Sequence, residues 1–201
     1  MIIVGLCGGN GSGKGTVARL FSFHGIPSID TDSVYHTLTS EATPCLDALV
    51  KEFGSGILND AGGLDRKKMS EIVFFGKDAQ IKRQTLNRIA HKFVKKRTKE
   101  LLDGYKKLNV PAVLIDAPLL FESGFNEMCD RIIAVVADEE VRTSRIMARD
   151  GITLSAATVR IKSQLPSEYL IANSDYVINN TGKIADTKSA VADIAKKILN
   201  Y

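Results

Sequence analysis

The chain has 201 residues, of which 44% are hydrophobic and 25% charged, and a formal net charge of +4, as in an ordinary globular domain. No apolar run approaches the ~18–20 residues that a membrane span needs, and no basic region precedes the apolar run at the N-terminus, so we expect neither a transmembrane helix nor a signal peptide. The three cysteines form neither an even set nor a C-x-x-C pair, which favours reduced thiols in a cytoplasmic protein.

The first predicted element is a buried strand over residues 2–6, followed by a glycine-rich turn and then by a helix. Gly8, Gly13 and Lys14 match the phosphate-binding pattern G-x-x-x-x-G-K, the P-loop. Glycines let successive backbone N–H groups point inward, the helix start adds its positive dipole end, and the lysine adds a full charge. The sequence therefore predicts that this turn binds phosphates.

The P-loop pattern continues with Ser or Thr, but here Gly15 stands at that position and the hydroxyl comes one residue later, at Thr16. One alternative is a simple glycine-rich turn with an incidental lysine. Another is the dinucleotide pattern G-x-G-x-x-A, which residues 13–18 also satisfy. That pattern leaves residues 7–12 and Lys14 without a role, so we favour the P-loop.

A second short strand is predicted within residues 25–30, and it leads into Asp30 and Asp32. Chemistry in parallel α/β sheets gathers at the carboxyl ends of the strands. We therefore expect these aspartates to lie opposite the P-loop of the neighbouring strand, where they could meet a substrate hydroxyl. Either aspartate could instead cap the helix that follows.

Residues 33–108 are predicted to form a helical insertion without a convincing strand, of a size to flank a bound substrate. Asp65 can cap one of its helices. A long helix over residues 80–107 carries ten Lys or Arg residues against two Asp or Glu residues. This charge indicates either the solvated face of a helix or a contact with an anionic partner.

The third predicted strand covers residues 111–116 and ends at Asp116, the position that holds Mg²⁺ through water in P-loop proteins. A fourth strand at residues 131–137 has the apolar character of a strand covered on both faces. The last strand is predicted at residues 175–180, and an amphipathic helix at residues 184–199 ends the chain.

Between the last two strands, a predicted helix carries three arginines. Arg145 and Arg149 are four residues apart and share one face of the helix. Planar guanidinium groups pair well with phosphate oxygens, so residues 140–170 are predicted to form a lid over the polyphosphate. We interpret Arg142 as an ordinary surface arginine.

Together these elements predict an α/β fold, a P-loop kinase with a parallel sheet covered by helices on both faces, a helical substrate-binding insertion and a helical lid. We expect a single domain over residues 1–201.

Several stretches along nearly the whole chain resemble one family, the dephospho-CoA kinases that complete coenzyme A synthesis. These stretches are residues 8–14, 29–32, 63–66, 72–74, 86–91, 116–122, 145–150, 160–164 and 174–180. The P-loop alone does not choose among kinases, whereas D-A-P-L-L-F-E at residues 116–122 and the final D-Y-V-I-N-N do. The chain departs from the family at Gly15, where its turn resembles adenylate kinases, and at Lys92, where the family has proline.

The resemblance implies that ATP and Mg²⁺ are used to phosphorylate the ribose 3′-hydroxyl of dephospho-CoA. It implies Asp32 as the catalytic aspartate, with Lys14 and Arg145 neutralising charge on the transferred group. The implied ATP contacts are Gly11, Ser12, Gly13, Lys14, Gly15, Thr16 and Arg149. The implied substrate contacts are Asp32, Arg66, His91, Leu119 and Glu122. Because Gly15 lacks the usual hydroxyl, we expect Thr16, or water, to contact the metal directly, and Asp116 to hold it through water. His91 could equally be a buried structural histidine, and Arg66 could simply pair with an acidic neighbour.

Two alternatives remain open at this point. The Gly15 form of the turn supports another small-molecule P-loop kinase, such as a nucleoside monophosphate kinase. The basic helix could instead belong to a nucleotide-switched module that contacts nucleic acid, but Phe93 and Tyr105 are too few aromatic residues for a stacking platform. We expect a monomer or a weak homo-oligomer that acts on a small molecule, without a nucleic-acid or membrane partner.

Overall fold

The computed structural model describes residues 1–75 and 78–200. They form two compact units: a first unit of Met1–Ile29 with the residues from Gly104 onward, and a second unit of Asp30–Asp103. The strands are β1 (Ile2–Cys7), β2 (Ser28–Asp30), β3 (Ala112–Asp116), β4 (Arg131–Val136) and β5 (Tyr176–Asn179). The helices are α1 (Lys14–Ser22), α2 (Thr31–Ser40), α3 (Pro44–Phe53), α4 (Arg66–Phe74), α5 (Ala79–Lys107), α6 (Glu139–Asp150), α7 (Leu154–Lys162), α8 (Ser167–Ala172) and α9 (Ile184–Leu199). The predicted strands are therefore confirmed, with small shifts of their ends.

The five strands form one sheet in the order β2-β3-β1-β4-β5. β1 pairs in parallel with β3 and with β4, and β4 pairs in parallel with β5. The expectation that β2 is the neighbour of the P-loop strand is wrong, because β3 lies between β2 and β1. Four residues of β3, Ala112–Ile115, are fully buried, which suits the interior of a sheet, whereas the three-residue β2 exposes Ser28 and Asp30 and suits an edge.

One face of the sheet is covered by α1 and α9. Apolar side chains of both helices and of the strands form one core, which includes Val4, Val17, Phe21, Leu114 and Val191. At the other face of β1, a Cβ atom on Gly5 would lie 2.9 Å from the side chain of Leu120 and 3.0 Å from that of Cys129. The segment that follows β3 thus packs directly on the backbone of β1, which fixes the strand from which the P-loop begins.

The second unit is helical and has its own core, built from buried side chains that include Cys45, Leu49, Ile57 and Met69. Its described residues from 33 to 103 contain no strand, as predicted, and only a single bridge between Leu58 and Leu64. The Asp65 carboxylate accepts hydrogen bonds from the backbone N–H groups of Lys67 and Lys68 at the start of α4, which confirms the predicted cap.

The predicted lid region contains α6, α7 and α8. α6 ends at Gly151, which adopts the left-handed conformation, and Thr153 caps α7 through its hydroxyl. Ile146, Ala157 and Ile161 join α6 and α7 in a small apolar cluster. Among residues 1–75 and 78–200, no helix combines the length and the apolar character that crossing a bilayer requires.

Candidate active site

The P-loop follows β1 and leads into α1, as the sequence predicts. Gly11 and Gly13 have φ values of 77° and 91°, which side-chain-bearing residues rarely adopt. Gly13 occupies the cap position of α1, where no side chain accepts a hydrogen bond from the first N–H groups of the helix, and the first turn holds no acidic residue. These N–H groups and the positive dipole end are therefore available to an anion.

Four glycines of the loop lie against neighbouring atoms where a Cβ atom has no room. At Gly8 and Gly11 it would lie 2.5 Å from the carbonyl oxygens of Val135 and Arg142, respectively. At Gly9 it would overlap the guanidinium of Arg142, and at Gly13 the side-chain amide of Asn180. Gly15 differs, because no atom lies within 4 Å of the position that its Cβ would take. Glycine is thus required by packing at most of this loop but not at residue 15.

We predict that Gly13→Ala lowers both stability and ADP affinity, whereas Gly15→Ala does neither. Gly13 has a left-handed conformation that costs about 1–2 kcal/mol with a side chain, and its Cβ would also displace Asn180. Gly15 lies inside α1 in open space, so alanine there should be neutral or stabilise by up to about 1 kcal/mol. Thermal unfolding and titration with ADP measure both effects. Equal changes of stability and ADP affinity in the two variants would contradict the conclusion that packing requires glycine at residue 13 but not at residue 15.

Lys14 and Asp116 meet at the carboxyl ends of β1 and β3. The ammonium nitrogen of Lys14 lies 3.3 Å from Oδ1 of Asp116, and their side chains are 15% and 14% exposed. The register of the two strands, in which Leu6 lies opposite Asp116, brings the carboxylate to the base of the loop. In the first unit, a lysine that could bind phosphate oxygens is therefore the neighbour of a carboxylate that could bind a divalent cation.

The structure separates the three arginines of α6. Arg145 reaches the P-loop, donating to the carbonyl oxygens of Gly11 at 3.2 Å and of Asn180 at 2.9 Å. Arg149 is largely exposed and forms a two-point ion pair with Asp150. Arg145 thus contacts the P-loop, whereas the described contacts of Arg149 are with its neighbour on the chain. The implied roles of both residues stay predictions.

The interpretation of Arg142 as a surface arginine is wrong. It is 7% exposed, and its Nε donates to the backbone carbonyl oxygen of Asn10 at 3.0 Å. Burial lowers the pKa of its guanidinium. Sequence periodicity could not reveal this, because Arg142, Arg145 and Arg149 are spaced i, i+3 and i+7 and share one face of α6, and the spacing does not say which part of that face other elements cover.

Two predicted substrate contacts lie in the segment after β3. Glu122 lines a small cavity together with Cys7, Gly8 and Gly9, so it borders the start of the P-loop. Leu119 is not among the residues that line this cavity and is partly exposed. The structure therefore associates Glu122, but not Leu119, with the phosphate-binding loop.

Asp32 and Arg66 line one cavity of about 330 Å³ in the second unit. Its remaining walls are mostly apolar and are formed by Tyr35, Leu64, Met69, Ser70, Val73, Phe74 and Leu86. Burial raises the pKa of the Tyr35 phenol to about 12, so the Tyr35 side chain in this cavity stays neutral. An apolar cavity that carries one carboxylate and one guanidinium suits a ligand with a flat apolar part, a hydroxyl and an anionic group.

The two aspartates after β2 have different surroundings. Asp30 is the cap of α2, and its carboxylate accepts from the backbone N–H groups of Asp32 at 2.9 Å and Ser33 at 3.3 Å, and from the Ser33 hydroxyl at 2.8 Å. Asp32 instead lies in the first turn of the helix and lines the cavity. The capping role left open by the sequence therefore belongs to Asp30.

His91 is half-buried in α5 and is not among the residues that line the cavity of Asp32 and Arg66. Burial, assisted by the charge of Lys95, lowers the pKa of its imidazole. A neutral imidazole fits the structural histidine that the sequence allowed, and its predicted substrate contact stays a prediction.

Sequence reasoning did not assign Asn180, which lies after β5. Its side-chain amide donates to the carbonyl oxygen of Ser12 at 2.7 Å and accepts from the hydroxyl of Thr187 at 2.9 Å. It thereby ties the P-loop to α9. The sequence signal that could have identified Asn180 is its position at the carboxyl end of a parallel strand, where binding residues gather.

Comparisons of this sequence with known proteins identify one family. A family model described as dephospho-CoA kinase matches residues 2–186. Curated dephospho-CoA kinases of Bacillus anthracis and Lactobacillus johnsonii are 37% and 35% identical, over 98% and 97% of this chain and 96% and 97% of their own lengths.

Among solved structures, a Thermus thermophilus protein aligns at 29% identity with a TM-score of 0.79, and a Campylobacter jejuni dephospho-CoA kinase at 27% identity with a TM-score of 0.73. Each alignment covers 98% of this chain and 97% of the other. A shikimate kinase of Acinetobacter baumannii, 14% identical over all of this chain and 94% of its own, with a TM-score of 0.54, shares the fold alone. The predicted α/β P-loop kinase fold is confirmed.

Proposed function

Since this chain belongs to the dephospho-CoA kinase family, we propose that it transfers the γ-phosphoryl group of ATP to the ribose 3′-hydroxyl of dephospho-CoA, giving coenzyme A and ADP. The observation that carries this proposal is the family match over residues 2–186, which spans both the P-loop and the cavity of Asp32 and Arg66. The nucleoside monophosphate kinase alternative has no comparable support.

In this proposal the first unit binds ATP. The uncapped start of α1 offers backbone N–H groups to the phosphates, and the contacts come from residues 11–16. Lys14 and Arg145 place two cations at the loop, where they offset the charge that develops on the transferred group. The Ser12 hydroxyl, on a residue 1% exposed, has no hydrogen-bond partner among the described residues, which is consistent with a ligand at this loop. Arg149 would approach the phosphates only by leaving Asp150.

Mg²⁺ would accompany the ATP, and the residues at the loop fit such an ion. The described residues hold no group of three or more His, Cys, Asp or Glu side chains that could bind a metal by themselves. Protein-bound Mg²⁺ commonly uses one or two carboxylates together with substrate phosphates, and Asp116 and the Thr16 hydroxyl supply oxygen ligands of this kind. When bound, the ion would neutralise charge on the β- and γ-oxygens.

The second unit would hold the acceptor. A cavity of about 330 Å³ lies at the small end of the ~300–1,000 Å³ range of ligand sites, so it would hold one end of dephospho-CoA rather than the whole molecule. Because Asp32 lines the cavity, we assign it the adenosine end, which carries the 3′-hydroxyl. Arg66 would then face the 5′-diphosphate.

Asp32 would orient the 3′-hydroxyl and accept its proton. The hydroxyl oxygen forms a bond to the γ-phosphorus while the bond between that phosphorus and the bridging oxygen of ADP breaks. The proton passes to the carboxylate and then to solvent. A well-positioned base of this type contributes ~10²–10⁴ to the rate.

A panel of acceptors tests the proposal. We expect the protein, with ATP and Mg²⁺, to phosphorylate dephospho-CoA in preference to AMP, shikimate and gluconate, with mass spectrometry identifying the product. Dephospho-CoA that lacks the 3′-hydroxyl is the matched control and should yield no product. A preference for AMP, or phosphorylation of the control, would overturn the assignment.

A further inference from the structure

We propose that Arg142 and Gln164 are positioning residues, which hold the tip of the P-loop, Gly9 and Asn10, in the shape that binds nucleotide. Arg142 lies on α6, and Gln164 lies between α7 and α8. Through these two side chains, the predicted lid region would govern nucleotide affinity without touching the nucleotide.

Both backbone polar groups of Asn10 are bound by these side chains. Its N–H donates to Oε1 of Gln164 at 2.7 Å, and its carbonyl oxygen accepts from Nε of Arg142 at 3.0 Å. The N–H of Asn10 is therefore directed to the protein and not to the phosphate site. The amide of Gln164 and the guanidinium of Arg142 together orient the two peptide units on either side of the Asn10 Cα atom.

Arg142 also fixes the loop by contact. The carbonyl oxygen of Arg142 would lie 2.5 Å from a Cβ atom on Gly11, and its guanidinium would overlap one on Gly9. The loop backbone thus lies directly on this residue at both sides of Asn10. Such contact leaves the tip little freedom to move independently of α6.

The guanidinium has no carboxylate partner within 4 Å among the described residues. Besides Asn10, it makes only two long contacts of 3.5 Å, to Oε1 of Gln164 and to the hydroxyl of Ser167. A cation that is 7% exposed and has no ion pair in the described part of the chain is costly as a purely structural element, although the charge of Glu139 offsets part of the effect of burial on its pKa. A triphosphate bound at the neighbouring loop would compensate this charge.

The tip is connected to the anion-binding amides by one turn, since the N–H of Ser12 donates to the carbonyl oxygen of Gly9 at 3.1 Å. If the peptide units of Gly9 and Asn10 rotate, the peptide units that follow rotate with them. Loss of the Gln164 contact should therefore lower nucleotide affinity. Binding of the acceptor should change little, because neither Arg142 nor Gln164 lines the cavity of Asp32 and Arg66.

The test compares Gln164→Leu, Gln164→Glu and Lys188→Ala by titration with ADP, which binds independently of the identity of the acceptor. We expect Gln164→Leu to raise the Kd of ADP by roughly fivefold to fiftyfold, because the Asn10 N–H loses its acceptor. The KM for dephospho-CoA should change less than twofold. Gln164→Glu keeps an acceptor for the N–H and should restore most of the affinity, and a change at Lys188, which is exposed on α9, should be neutral.

Hydrogen exchange of the loop without nucleotide provides a second readout. The amide of Asn10 should exchange faster in Gln164→Leu than in the wild type, and at the wild-type rate in Lys188→Ala. An unchanged Kd of ADP in a folded Gln164→Leu variant would overturn the proposal, as would equal increases of the ADP Kd and the dephospho-CoA KM. If Gln164→Leu does not fold, Gln164→Asn, which is too short to reach Asn10, takes its place.

Discussion

Asp32→Asn is expected to lower kcat by ~10²–10⁴ while leaving the Kd of ADP unchanged. The asparagine side chain has nearly the size of aspartate and can still donate and accept hydrogen bonds, but it cannot take a proton from the substrate hydroxyl. Asp32 is exposed in the first turn of α2, where a negative charge stabilises the helix by only about 0.3–1 kcal/mol. The variant should therefore stay folded, and steady-state kinetics would report the chemical role.

Asp30→Asn is the matched control for that variant. It removes the same charge two residues earlier, but asparagine is as good a helix cap as aspartate. We expect close to wild-type turnover and a small change of melting temperature. Near-normal turnover in Asp32→Asn, or an equal loss in both variants, would contradict the assignment of Asp32 as the base.

Lys14→Met is expected to lower kcat/KM by ~10²–10³ and to weaken ADP binding by roughly tenfold or more. The substitution keeps most of the aliphatic stem but removes the cation that faces the phosphates, a loss comparable to removing one strong donor from a transition state. It also removes the ion pair with Asp116, and a carboxylate that is only 14% exposed then loses its cation, which lowers stability. Both kinetics and thermal unfolding are therefore informative.

The double variant Lys14→Met with Asp116→Asn separates these two effects. If the loss of stability comes from the ion pair, neutralising Asp116 should recover part of the melting temperature, because a largely buried carboxylate no longer lacks its lysine. Nucleotide affinity should not recover, since the phosphate contact is still missing. Recovery of ADP binding in the double variant would mean that Lys14 acts through Asp116 and not on the nucleotide.

For the residues around the acceptor cavity, the sequence left alternatives that the structure distinguishes. From the residues alone, Asp30 and Asp32 were both candidates for capping the next helix and for meeting a substrate hydroxyl, because they lie at and just after the end of β2. Only the family resemblance singled out Asp32. The structure distinguishes them by their hydrogen bonds, since Asp30 accepts from the backbone of α2 while Asp32 lines a cavity with Arg66. No spacing rule predicts that cavity, because its walls come from α2, α4 and α5 and from the loop before α4.

The arginines of α6 illustrate the same limit. A helical repeat identifies which side chains share a face, and Arg142, Arg145 and Arg149 all lie on one face of α6, at i, i+3 and i+7. In the structure Arg142, near the start of the helix, is buried by the P-loop and the segment after α7, whereas Arg149, two turns later, is exposed. Which part of a helix face becomes buried depends on neighbours that are distant in sequence.

The sequence by itself determined the local features of this protein: the strand–turn–helix of the P-loop, the other apolar strands, the helical second unit and the Asp65 cap, because each depends on residues within a few positions of one another. Only the tertiary structure decided that β3 lies between β2 and β1, that Asp116 meets Lys14, and that Arg142 and Gln164 hold Asn10. These are contacts between residues up to 154 positions apart, and they follow from how buried surfaces pack together, which no local pattern encodes.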